Sequence, residues 1–462
     1  MEDFSLKKLF FFLFAFYWTF VLPRHLNAQN NYNDNLAAPT PPMGWNSWDC
    51  FGTTVTEEDV RANADYMAKN LLKHGWEYIV VDIQWYEPNA KAHGYRNNAE
   101  LVMDEYGRLL PASNRFPSSA RGKGFSPLAD YIHSLGLKFG IHIMRGIPRQ
   151  AVRQSLPIRN SQYRAKDIAD TNSICPWNTD MYGVKADTPG GQDYYNSIIE
   201  LYTQWGVDYI KADDMTAFNK KPADEKRLNE IKALSNAIHK YKRSIVLSLS
   251  PGPASVDQAD FLKSHAQLWR ISDDFWDKWK DILQQFDYMR SWYTHTAPNS
   301  WPDADMLPLG RIGIRAERGD SRFTHFTTDE QCTLLTFWSI FRSPLMFGGN
   351  LPDNDEFTLS LITNNEVLAV NQNSYDNREE YNSNGIIVWT ANIPNSNDVY
   401  VAVCNTTDKV NSSIKIPWDR IGLKSSSYKV RDLWTKSELG NFDNSISLSI
   451  NKHGAKLLRI SK

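Results

Sequence analysis

The chain has 462 residues, 42% hydrophobic and 13% aromatic, with 51 basic against 53 acidic side chains and a formal net charge of -2. That apolar content supplies a large core and excludes intrinsic disorder, and the balanced charge argues against nucleic acid or an acidic membrane surface as partner. Sixteen tryptophans and 21 tyrosines suit either a large aromatic core or faces that stack on sugar rings.

The first residues combine Lys7 and Lys8, an apolar run from Leu9 to Leu22, and Leu26-Asn27-Ala28. This is the pattern of a signal peptide over residues 1–28, implying a secreted or periplasmic chain with no membrane attachment after cleavage. The alternative is a retained anchor, for which the apolar run is short. Cys50, Cys175, Cys332 and Cys404 are widely spaced with no CxxC pair. Neither a zinc site nor a disulfide framework is indicated, although one bridge stays open.

After a polar leader, Met43-Gly44-Trp45-Asn46-Ser47-Trp48 forms a short strand and loop. Thr56 and Asp59 then make a capping box, and Val60, Ala64, Met67 and Leu71 mark the buried face of a helix ending near Gly75. The strand Tyr78 to Trp85 carries Asp82 toward its end, and Leu137 to Met144 is a third strand after a helix through Ala129 and Ile132. From Arg145 to Gln192 the periodicity breaks, and a loop this long inside a compact domain is functional or disordered. It would leave the C-terminal end of the third strand. Its arginines, from Arg145 to Arg164, either meet an acidic or extended substrate or are ordinary surface charges.

Tyr194, Ile198, Leu201 and Trp205 recur at three and four residues, predicting a helix that Gly206 stops. Next comes a strand within Gly206 to Met215 that emerges from the glycine and ends in two carboxylates, Asp213 and Asp214; in it Lys211 and Asp213 share a face. A lysine beside an aspartate stabilises the carboxylate, as a nucleophile requires, or else forms an ion pair closing the strand. A helix through Ile231, Leu234 and Ile238 leads to a strand from Ser244 to Ser250, and then to one from Leu268 to Asp274. If that strand stays regular, Arg270 and Asp274 face the site while Asp273 faces outward as a helix cap. Trp301 to Leu307 and Phe337 to Phe347 are read as the last two strands.

About eight β-then-α units without a GxGxxG turn, with polar residues at the strand ends, predict an eight-stranded β/α (TIM) barrel over residues 29–373. Beyond Asn373, short alternating runs from Ile386 to Ile460 without helices predict a C-terminal antiparallel β-sandwich over residues 374–462. Two carboxylates suffice to cleave a glycosidic bond, one at the anomeric carbon and one protonating the leaving oxygen. Asp213 and Asp274 are the candidates for these roles. Asp82 and Asp305 would bind sugar hydroxyls, or cap the following helices. Trp48 would supply a ring platform. This chemistry needs no metal or organic cofactor.

Met43 to Trp48, Tyr78 to Trp85, Asp208 to Asp213, Trp269-Arg270 with Asp274, and Asp303-Ala304-Asp305-Met306-Leu307 stand in the order and spacing of glycoside hydrolase family 27. The chain therefore resembles α-galactosidases and α-N-acetylgalactosaminidases, retaining enzymes on a β/α barrel with a C-terminal β-sandwich. The resemblance implies Asp213 as nucleophile and Asp274 as acid/base. It places substrate contacts on Trp48, Asp82, Lys211, Arg270 and Asp305. His142 stands where the family has a tyrosine, and Ser250 where galactosidases place bulkier residues.

Other departures bear on specificity. The family's two adjacent acids after the second strand become Asp82-Ile83, so one polar contact is gone. Gln84 and Met215 replace cysteines, so the family's usual disulfides cannot form. Small residues at Ser250 and Ala254 resemble the α-N-acetylgalactosaminidase variant. The leading expectation is a secreted retaining exo-glycosidase acting on oligo- or polysaccharides with terminal α-D-galactosyl residues. Alternatives are an α-N-acetylgalactosaminidase, a glucan-directed or β-L-arabinopyranoside-directed hydrolase, or a catalytically silent sugar-binding barrel.

Overall fold

A computed structural model describes residues 36–216 and 224–462; the leader lies outside the described residues. Eight parallel strands form one sheet: β1 (Met43–Asn46), β2 (Tyr78–Val81), β3 (Lys138–Met144), β4 (Tyr209–Asp213), β5 (Val246–Leu249), β6 (Leu268–Arg270), β7 (Trp301–Asp303) and β8 (Leu345–Phe347). They pair in chain order, and β8 pairs back onto β1. Just past β7, Leu307 bridges to Phe347, with its N–H donating to the Met346 carbonyl at 2.8 Å, and this contact closes the barrel. Strand residues are buried almost without exception, which is why they read as short continuous apolar runs.

Helices separate the strands, as right-handed parallel crossovers require. The helix α1 (Glu57–Asn70) starts with the predicted capping box at Thr56 and Asp59. A 3-10 turn follows it to Gly75, whose φ of 91° is the left-handed conformation that glycine adopts freely. The next two are α2 (Ser126–Ser134) and α3 (Pro189–Gln204), and Gly206, at φ 82°, turns the chain from α3 toward β4. Then come α4 (Glu225–Tyr241), α5 (Ala259–His265), α6 (Trp279–Trp292) and α7 (Thr328–Phe341). Two short helices, Glu356–Ile362 and Asn365–Asn373, follow β8.

Three expectations need correction. The run from Phe337 is the end of α7, and only Leu345–Phe347 is strand. This helix is buried on nearly every side, so it lacks the one-sided periodicity that identifies a helix. The sixth strand stops at Arg270, so the alternation that placed Asp273 outward does not extend to it. Asp273 instead lines the cavity described below and caps no helix, since α6 starts after Lys278. The stretch 145–192 is also not structureless. It folds into short helices and a three-stranded antiparallel sheet of Ile147–Pro148, Met181–Val184 and Ala169–Ile174.

The C-terminal part has eight strands: β9 (Tyr375–Ser383), β10 (Ile386–Asn392), β11 (Val399–Asn405), β12 (Asn411–Pro417), β13 (Ser427–Asp432), β14 (Ser437–Asp443), β15 (Ser445–Ile450) and β16 (Ala455–Ser461). A six-stranded sheet, β9-β10-β11-β16-β13-β14, faces the pair β12-β15. Alternation divides the sheet's apolar residues. Ile386, Val388, Val401, Val403, Leu458 and Ile460 face the pair, whereas Ile387, Trp389, Ala402, Cys404 and Leu457 join the barrel's core.

Candidate active site

The C-terminal ends of the barrel strands surround a cavity of about 220 Å³. Trp48, Asp82, Lys211, Asp213 and Asp274, all singled out from sequence, line it. His142, Ser250, Arg270 and Asp305 do not line it; they are buried beside it and connect to it by hydrogen bonds and ion pairs.

Asp213 ends β4 and has both carboxylate oxygens occupied. Ser250 donates its hydroxyl to Oδ1 at 3.0 Å, and His142 Nε2 is 3.1 Å from Oδ2. Burial disfavours the charge, but the His142 hydrogen bond, the Lys211 and His142 charges and the Ser250 hydroxyl hold Asp213 well below the usual carboxylate range. Lys211 points instead at Asp82, with Nζ 2.9 Å from Oδ2. Asn46 donates to that same oxygen at 2.8 Å. Asp82 is fully buried, and burial raises its pKa, but Lys211 and these hydrogen bonds leave it lowered. Burial acts against the Lys211 charge as well, but Asp82 and Asp213 raise its pKa above the usual lysine value.

On the opposite wall, Arg270 Nη2 is 2.5 Å from Asp305 Oδ2 and 3.6 Å from Asp274 Oδ1. The Asp274 side chain is 39% exposed, so it faces incoming solvent and ligand, whereas Asp305 is buried. Burial, together with the Asp274 and Asp303 carboxylates, pushes Asp305 up against the pull of Arg270. Neither Asp82 nor Asp305 caps a helix: Asp82 faces Lys211, and Asp305 accepts from Arg270 and from the Phe275 N–H at 2.8 Å.

Ile83, 1% exposed, forms part of the cavity wall beside Asp82. Pro251, which follows Ser250 after the fifth strand, lines the cavity too, whereas Tyr95, Trp177, Asp273, Glu317 and Arg318 were not placed there from sequence. Tyr95, Trp177, Glu317 and Arg318 come from long connections after β2, β3 and β7, where no periodicity marks position. The stretch 145–192 lies at the C-terminal end of the barrel, since the Arg145 N–H donates to the Asp213 carbonyl at 2.9 Å. Three of its arginines are engaged within the protein. Arg145 is buried against Asp214 (2.9 Å) and Glu230 (2.5 Å), Arg149 donates to the Met181 carbonyl, and Arg159 pairs with Glu200. All four cysteines are free.

Comparisons with known proteins agree with this geometry. The family described as "Alpha galactosidase A" matches residues 40–185 and 179–373, and the "Alpha galactosidase C-terminal beta sandwich domain" matches residues 383–460. An α-galactosidase of Oryza sativa subsp. japonica is 27% identical over 438 residues, spanning 94% of this chain and 88% of the relative. Among solved structures, a family 27 β-L-arabinopyranosidase from Geobacillus stearothermophilus superposes with a TM-score of 0.89 at 52% identity, covering 92% of this chain and 97% of that one. A putative α-N-acetylgalactosaminidase from Bacillus halodurans gives a TM-score of 0.82 at 49% identity, covering 92% and 98%.

Proposed function

Since the chain belongs to glycoside hydrolase family 27, we propose that it is a retaining exo-glycosidase that prefers terminal β-L-arabinopyranosyl residues, with α-D-galactosides as its second substrate. The carrying observation is Ile83 on the cavity wall. A β-L-arabinopyranoside has the ring and hydroxyl arrangement of an α-D-galactopyranoside but lacks the hydroxymethyl group at C5. An apolar wall matches that bare ring edge. It leaves a buried hydroxyl without a partner, a cost of about 1–3 kcal/mol. The 52% identity to a β-L-arabinopyranosidase supports the same choice. Ser250, whose small size would make room for an acetamido group, is instead engaged with Asp213.

In this reading the Asp213 carboxylate attacks C1 and forms a glycosyl ester as the C1–O bond to the leaving group breaks. Asp274 gives that oxygen its proton, then takes one from water as the water displaces Asp213 and restores the carboxylate. His142 and Ser250 orient Asp213, and Arg270, buried behind the facing wall with Asp305, holds Asp274. Asp82, with Lys211 and Asn46, binds ring hydroxyls, and Trp48 offers an apolar face. The apolar run before Ala28 supports secretion or export to the periplasm.

Nitrophenyl β-L-arabinopyranoside, α-D-galactopyranoside, α-N-acetylgalactosaminide and α-glucoside test the assignment. Highest kcat/KM is expected on the arabinopyranoside, and Ile83→Asp should raise the galactoside-to-arabinopyranoside ratio about tenfold or more, as a charge-assisted hydrogen bond allows. A native enzyme that prefers any of the other three, or an unchanged ratio in the variant, would sink it.

A further inference from the structure

Trp177 lines the mouth of the cavity and keeps 37% of its surface exposed. Its ring continues an aromatic series that starts inside: Trp48 stacks on Tyr95 with centroids 6.1 Å apart, and Tyr95 lies 5.5 Å from Trp177. The Trp177 backbone is held from below. Asn178 and Asp180 are buried, and one Asp180 oxygen accepts from Gln84 at 2.6 Å, from Tyr86 at 3.0 Å and from Asn178 at 3.2 Å. A large aromatic side chain left open to solvent, yet fixed by a buried polar hub beside a pocket, is arranged for contact with a ligand.

We infer that Trp177, with Tyr95, forms a binding site for the sugar residue on the leaving-group side of the scissile bond, and that this residue is neutral. The inference rests on the glycosidase reading above. Among the described residues lining the cavity mouth, Asp273, Asp274 and Glu317 stand against one cation, Arg318, which is itself bound to Glu317 at 2.8 Å. Lys211 is committed to Asp82 inside. The excess negative charge repels a uronate, while an uncharged pyranose can lay its C–H face on the indole. The natural substrate is accordingly a sugar-to-sugar linkage in a neutral glycan, with the terminal residue in the barrel and the next residue on Trp177.

Transfer chemistry isolates this site. With β-L-arabinopyranosyl fluoride, Asp213 forms its bond to C1 as fluoride leaves. The ester then partitions between water and an added acceptor, whose hydroxyl oxygen bonds to C1 as the C1–Asp213 ester bond breaks and the carboxylate is restored, its proton passing to Asp274. The ratio of transfer product to free arabinose is set after the ester forms and is independent of how fast it forms. Native enzyme should transfer to methyl β-D-galactopyranoside and much less to methyl β-D-glucuronide. Trp177→Ala should lower the transfer ratio about tenfold, in line with loss of one aromatic contact, and Trp177→Phe should restore most of it. No transfer by the native enzyme, an unchanged ratio in Trp177→Ala, or equal use of the glucuronide would overturn the site. Failure of the native enzyme to turn over the fluoride at all would instead overturn the arabinopyranosidase reading beneath it.

Discussion

At the scale of single residues, the two walls of the cavity treat their carboxylates differently. Asp213 is buried yet held in the charged form by His142, Lys211 and Ser250, while Asp305 is raised by burial and by neighbouring acids. Because the folded pKa of Asp213 is depressed, its contribution to stability is present above the ordinary carboxylate value and is lost as pH falls through the folded value. In the proposed reaction, the form of Asp213 that would attack persists through mild acid. A glycosyl fluoride needs no proton donor, so its kcat/KM should stay level from about pH 7 down to about pH 4, the ordinary aspartate value. An acid limb with a midpoint above 5 on this substrate would mean that Asp213 is not the ionised nucleophile.

At the scale of elements, the barrel depends on strands approaching more closely than side chains allow. Gly44 in β1 is one such place, where an added Cβ would sit 2.5 Å from the Tyr78 carbonyl oxygen and 2.6 Å from the Tyr78 Cβ. Both strands are fixed by neighbours, β1 between β8 and β2, and β2 between β1 and β3. Neither can withdraw without breaking a ladder. Gly44→Ala should therefore cost about 3 kcal/mol, the upper part of the range for overpacking, read as a lower denaturant midpoint at unchanged slope. An unaltered midpoint would show that β1 and β2 can separate without loss.

At the scale of the whole molecule, the barrel's core continues onto one face of the six-stranded sheet, while the other face and the β12-β15 pair enclose a second core. Trp389 packs edge-on against Phe341 of α7 and Tyr293, and the Trp434 indole donates to Thr336 at 2.9 Å. His453 stacks on Trp279 with centroids 3.9 Å apart, contacts Glu330 at 2.7 Å, and its carbonyl accepts the Thr333 hydroxyl at 2.6 Å. Ending the chain at Asn373 would expose to water the apolar face of α7 that Trp389 and Trp434 now cover, and exposed contiguous apolar surface of this kind promotes association. The truncated protein should be insoluble or aggregated by size-exclusion chromatography. A soluble, active 1–373 fragment would show that the barrel core is complete without the sandwich.

Much of this was legible in the chain itself. Thr56 with Asp59, Gly75 and Gly206 marked helix ends through local backbone chemistry, which does not depend on distant residues. The alternation of β4 placed Lys211 and Asp213 together because period-two geometry holds within any regular strand. It failed for Asp273 because β6 ends at Arg270, and for α7 because burial on both sides erases the pattern. The separation of Lys211 from Asp213 in favour of Asp82, the His142 and Ser250 contacts to Asp213, and the arrival of Tyr95, Trp177 and Arg318 at one cavity were decided by tertiary structure. Local sequence determined which residues stand at strand ends and which helices connect them. Loop paths and ion-pair partners depend on residues tens to hundreds of positions apart, so only the closed barrel could choose them.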